Sequence, residues 1–78
     1  MKLGQILADN IRRLRNEQGL TQEELADRCQ INRNYVGMIE RRENSPTVDM
    51  LEKLAKALNI AAASLLEPHE RPKRGKDS

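Results

Sequence analysis

The chain contains no tryptophan and no phenylalanine, and among its 78 residues there is one tyrosine, one cysteine and one histidine. Each shortage removes a class of function. With a single ring, Tyr35, large binding platforms of stacked aromatics are excluded. Cys29 has no partner within the chain, so it can build neither an internal disulfide nor a cysteine metal site, and it is expected to serve as a small buried hydrophobe. His69 stands alone in a polar C-terminal stretch, which leaves no internal base and no ligand pair. No catalytic residues, no metal and no cofactor are therefore expected. No apolar run approaches the roughly 18 residues of a membrane span, and the first residues lack a signal-peptide core. The expectation is an intracellular protein without a membrane partner. A chain this short holds one domain and buries only about 60% of its unfolded surface, which argues against a deep pocket and a small-molecule effector.

What the sequence does have is charge and short aliphatic side chains. Charged residues make up 33% and hydrophobic residues 37%, against a usual charged share of about 25%. The net charge of +2 divides evenly between the stretch from Glu67 to Ser78, rich in Arg71, Lys73, Arg74 and Lys76, and the rest of the chain. A net charge so small says nothing about partners; its distribution over the surface decides.

Helical spacing dominates. Leu3, Ile6, Leu7, Ile11 and Leu14 recur at intervals of three and four, predicting a first helix to Gln18 with these residues inward and Gly19 as its left-handed cap. Thr21 and Glu24 have the spacing of a capping box, opening a helix of about two turns that turns Leu25, Ala26 and Cys29 inward and is over by Gln30. Asn32 can cap a third helix running to Arg41, with Val36 and Ile39 inward. After the polar loop Arg42 to Pro46, Thr47 can cap a fourth, with Val48, Leu51, Leu54, Ala55 and Leu58 as its inner face and Asn59 as its C-cap. Ala61 to Leu66 reads as a further short helix. Residues 67–78 have almost no apolar content, which predicts a disordered charged tail after a domain spanning 1–66.

Two short helices joined by about three residues, with a small Ala26 at their crossing and Leu25, Ile31, Val36 and Ile39 in their shared core, describe a helix-turn-helix. The stretches Gly19 to Ala26, Asn32 to Arg41 and Pro46 to Leu58 resemble the XRE-type helix-turn-helix family of phage repressors and Cro proteins over about residues 6–66. Arg33, Tyr35 and Val36 at the opening of the third helix are similar to the controller proteins of restriction-modification systems. The resemblance implies an all-α, five-helix, lambda-repressor-like domain. Its third helix would enter the major groove of double-stranded DNA, and it would act as a homodimeric transcriptional regulator on a pseudo-palindromic operator in the bacterial or phage-infected nucleoid.

It also implies roles for single residues. Gln22 matches a phosphate-binding glutamine; Asn32, Arg33, Asn34 and Met38 match the outward positions of the reading helix. Arg33 and Asn34 carry the side chains suited to guanine and adenine edges. A cation in a helix's first turn opposes the helix dipole, which suggests an external anion for Arg33 over mere solvation. Tyr35 either donates to a phosphate or edges the core, and Met38 either touches a thymine methyl or is a surface residue. Gly37 has no evident role beyond letting something approach closely. Arg41 and Arg42 either face phosphate or are solvated. Glu40 matches a glutamate that pairs with an arginine of the first helix, here Arg15. In place of the family's usual glycines stand Gln30 in the turn and Arg42 in the loop, each costing about 1 kcal/mol where left-handed. Glu43 places a negative charge where phosphate is often met.

The dimer surface expected from small apolar content is Ile60, Ala62, Leu65 and Leu66; the alternative is that Leu65 and Leu66 both pack inward on their own subunit. Alternatives of other kinds are an antitoxin whose tail folds on a toxin, and a protein-interaction module bridging partners without reading bases. Arg33 and Asn34 speak against the second, and the low apolar content of the tail against the first.

Overall fold

The computed structural model describes residues 3–69, and the expected charged tail beyond them, residues 70–78, lies outside the described residues. Four α-helices and one 3-10 helix follow one another: α1 (Leu3–Glu17), α2 (Gln22–Cys29), α3 (Arg33–Glu40), α4 (Val48–Ala57) and the 3-10 helix Ala62–Leu66. The expected fifth helix is thus a 3-10 turn. It has only five residues, and Pro68 drives the preceding Glu67 into an extended conformation, so no α-helical ladder can develop.

The starts and stops are set by local chemistry. At α2 the full capping box forms: Thr21 Oγ1 accepts from the Glu24 N–H at 3.0 Å, and Glu24 Oε1 accepts from the Thr21 N–H at 2.8 Å. Asn32 Oδ1 accepts from Asn34 N–H at 2.7 Å and Thr47 Oγ1 from Met50 N–H at 3.1 Å, capping α3 and α4.

All four helices end in the same turn. Gly19, Gln30, Arg42 and Asn59 are left-handed, with φ of 70°, 59°, 64° and 62°. The next residue then donates back five positions, as Leu20 does to Arg15 (2.9 Å), Ile31 to Ala26 (3.0 Å), Glu43 to Met38 (2.7 Å) and Ile60 to Ala55 (2.9 Å). Gln30 and Arg42 therefore keep the conformation that glycine would adopt without strain.

The core gathers Leu7 and Ile11 of α1, Leu25, Ala26 and Cys29 of α2, Val36 and Ile39 of α3, Leu54 and Ala55 of α4, with Leu58 and Leu65. Ala26 is 1% exposed, as a close crossing of α2 and α3 demands. Cys29 is buried and burial pushes its thiol up, with the charge of Lys53 opposing, so it remains a protonated core residue. Two inward assignments are corrected. Leu3 and Val48 are 61% and 72% exposed, each the first residue of its helix. Leu65, expected at a dimer surface, is 0% exposed and belongs to the core of its own chain.

Two polar side chains are also buried. Asn10 is 1% exposed. Its Nδ2 donates to the Leu65 and Glu67 carbonyls, both at 2.8 Å, and its Oδ1 accepts from Arg13 at 3.1 Å. One amide thereby ties α1 to the open end of the 3-10 helix, a role that periodicity could not disclose. Glu40 is the second. Its carboxylate accepts from Arg15 Nε at 2.7 Å, Arg15 Nη2 at 3.1 Å and Gln22 Nε2 at 3.0 Å, while Arg15 Nη1 donates to the Leu20 carbonyl at 2.9 Å. The expected Arg15–Glu40 pair is present, and it joins α1, α2 and α3.

Removing one partner of a pair this buried strands the other. Glu40→Ala should cost about 3 kcal/mol or more, lowering Tm by more than about 12 °C in a domain of this size, measured by circular dichroism. Asn10→Ala leaves two carbonyls without a donor and should cost about 1 to 3 kcal/mol; an unchanged melting curve would remove Asn10 from this role.

Candidate nucleic-acid interface

The turn at Gln30 and the cap at Asn32 set α3 across α2, and Val36 and Ile39 hold it there by facing the core. What remains outward is the first turn, Arg33 and Asn34, both exposed, followed by Met38, half-buried, and Arg41, exposed. A cleft of about 500 Å³ runs between the start of α2 and this face, lined by Gln22, Glu23, Arg33, Asn34, Gly37 and Arg41. Its polar side chains are hydrogen-bond donors in excess, the set that phosphates and purine edges call for.

The expected contact residues fall into distinct situations. Arg33 extends from α3 with Nη1 3.6 Å from Glu23 Oε1 of α2, too long for a hydrogen bond and with both side chains about two-thirds exposed. The two form a loose, solvated ion pair, and among the described residues the Arg33 donors make no hydrogen bond. Asn34 is exposed, with its backbone N–H held by the Asn32 cap and its side-chain amide available. Asn32 spends its own Oδ1 on that cap, which fixes the first turn. Gln22 is half-buried and its Nε2 donates to Glu40, so the glutamine expected at phosphate is anchored from behind by the buried carboxylate. Tyr35 is half-buried against the edge of the core, which meets the second of the two roles open to it, and among the described residues its hydroxyl makes no hydrogen bond. Arg42 is exposed and occupies the left-handed position at the end of α3.

Arg41 is unlike Arg33. Its Nε and Nη2 donate to the two carboxylate oxygens of Glu43 at 3.0 and 3.1 Å. That hydrogen bond, before the charge itself, holds the Glu43 carboxyl below and the Arg41 guanidinium above their ordinary values. The guanidinium also lies over Gly37: a Cβ there would stand 2.9 Å from Arg41 Nη1, the mobile end of an exposed side chain, and 3.5 Å from Gln22 Oε1.

Sequence reasoning found the reading helix and missed both acidic partners on its face. Glu23 carried no signal beyond its place in a capped first turn, and Glu43 was legible as a negative charge in the loop but not as the partner of Arg41. On the expected dimer side, Ile60, Ala62 and Leu66 are half-buried and remain accessible, and Leu65 is not. Among the described residues no cluster of three or more His, Cys, Asp or Glu is placed to hold a metal, and no helix is long and apolar enough to cross a membrane.

Comparison with known proteins agrees with this geometry. Residues 11–65 match the helix-turn-helix family. The chain is 44% identical over 66 residues to the control protein C.SmaI of Serratia marcescens, covering 85% of this chain and 79% of that one. Among solved structures it is similar to the hypothetical transcription factor NHTF from Neisseria, with a TM-score of 0.84 and 42% identity over 86% of this chain and 77% of the other. It is also similar to the restriction-modification controller protein C.AhdI from Aeromonas hydrophila, with a TM-score of 0.77 and 35% identity over 80% of this chain and 94% of that one. A capped two-helix unit with donors along its outer face, matched over most of its length by regulators of this kind, places the chain in the XRE-type helix-turn-helix family of DNA-binding transcription regulators.

Proposed function

We propose that the protein acts as a homodimer on a pseudo-palindromic DNA operator, laying α3 of each subunit in successive major grooves, in the manner of a restriction-modification controller protein. The observation that carries this reading is the exposed guanidinium of Arg33 beside the free amide of Asn34, on a helix turn fixed from behind by the Asn32 cap. A guanidinium whose donors carry no hydrogen bond among the described residues, and whose only contact is a loose 3.6 Å ion pair, matches guanine O6 and N7, and a carboxamide matches adenine N6 and N7. Gln22, Arg41 and Arg42 serve phosphates on either side, Tyr35 borders them, and Met38 lies where a thymine methyl can pack. These contacts position the helix, whereas Arg33 and Asn34 discriminate.

One such helix reads few base pairs, and a genome offers an excess of competing sites. Pairing of two subunits answers this. The partly solvated apolar side chains Ile60, Ala62 and Leu66, beside a groove of about 560 Å³ bounded by Glu52, Lys56 and Asn59, supply the surface. Relatives named as control proteins and as a repressor support the regulatory reading.

Two outcomes test the proposal. Selection from random duplexes should yield a pseudo-palindrome, and Arg33→Ala should lose about 1 to 3 kcal/mol of discrimination at one base position per half-site; equal binding to every sequence would sink direct readout. Ile60→Glu should give folded monomer by sedimentation with much weaker operator binding, whereas Leu65→Glu, placing a carboxylate in the core, should unfold the chain. A dimeric Ile60→Glu protein would discard this face.

A further inference from the structure

The four helix ends share one turn, but one of them differs in the residue next to the left-handed position. After Gly19, Gln30 and Asn59 come Leu20, Ile31 and Ile60, aliphatic side chains that are buried or half-buried against the core, the usual companion of this turn. After Arg42 comes Glu43. Its backbone is pinned as firmly as the others, by the 2.7 Å bond from its N–H to the Met38 carbonyl. Its side chain, instead of folding inward, reaches Arg41.

The geometry of that pair decides what Arg41 can do. Glu43 fills the Nε and Nη2 edge of the guanidinium, and Nη1 rests over Gly37, within 2.9 Å of where a Cβ would stand. The Nε–Nη2 edge is therefore spent, in contrast to Arg33, which makes no hydrogen bond among the described residues. A bidentate contact to phosphate through that edge requires Arg41 to leave Glu43. Both side chains are more than half exposed, so the pair does little for the fold, and its consequence lies at the surface that meets DNA.

We propose that Glu43 is an affinity-setting residue: a built-in competitor that occupies Arg41 as a phosphate would and that a DNA phosphate must displace. This rests on the DNA-binding reading above and deepens it. Arg41 and Glu43 together carry no net charge, so the exchange releases almost no counterions from DNA, and the affinity of each subunit stays low until other contacts accumulate. The device sits just past the end of α3, with Arg41 at its C-cap and Glu43 in the turn that follows.

A mutant cycle on a mixed-sequence DNA duplex tests this, with fluorescence anisotropy between 50 and 200 mM salt. Wild-type protein is titrated first; no binding to any duplex would overturn the DNA-binding reading itself, separately from the latch. Glu43→Gln should then tighten binding by roughly tenfold per subunit at 50 mM salt, with a slope of log affinity against log salt steeper by ~0.9 per subunit, the signature of one more neutralised phosphate. In the Arg41→Ala background the same substitution should change binding no more than Glu67→Gln does, a control of equal charge at the end of the 3-10 helix, which packs on α1 and α4. Weaker binding by Glu43→Gln would show that the carboxylate aims Arg41 at DNA and would overturn the proposal. So would an equal gain with and without Arg41, which would mark a bulk charge effect.

Discussion

The carboxylate of Glu40 is the constraint on which the rest of the molecule depends. An aliphatic core is non-directional: Leu, Ile and Val side chains gain nearly as much when a short helix rolls by part of a turn as when it sits still. A buried ion pair is not so tolerant. Glu40 accepts a two-pronged contact from Arg15 and a third bond from Gln22, and Arg12 donates to its backbone carbonyl at 3.3 Å. Three of these bonds converge on one side chain near the last turn of α3, so the rotation of that helix about its axis is settled by α1 and α2. With the rotation settled, Val36 and Ile39 must face in, and Arg33, Asn34 and Arg41 must face out. The free energy of such a pair is close to balanced against its desolvation; what it adds is direction, which an aliphatic core cannot supply.

The same division explains how much was legible in the sequence. Caps and turns are local chemistry, so Thr21 with Glu24, Asn32, Thr47 and Gly19 were readable at their positions, and the structure bears them out. Gln30 and Arg42 were readable as strained substitutes for glycine because the family they resemble usually has glycine there, and the structure finds both left-handed. Periodicity, in contrast, assigns a residue to a face without saying whether anything covers it. Leu3 and Val48 share the periodicity of inward residues, yet each opens its helix and is exposed. Leu65 errs the other way: a small-residue stretch has the same composition whether it seeks a partner or its own core. Asn10 gave no signal because its use depends on carbonyls of Leu65 and Glu67, more than fifty residues away. Long-range polar contacts are where a single sequence is least informative.

Charge shows a further limit of composition. The +2 total conceals a reading face on which arginines and glutamates are interleaved. Arg33 has Glu23 at 3.6 Å without a hydrogen bond; Arg41 has Glu43 at 3.0 Å with its Nε–Nη2 edge filled. A face of free arginines would bind any duplex through phosphates alone, with affinity set by salt and indifferent to sequence. Interleaving carboxylates reduces that sequence-independent attraction. The small core and the interleaved surface thus act together: buried charge orients α3, and exposed arginines on its outer face are partly cancelled by neighbouring carboxylates.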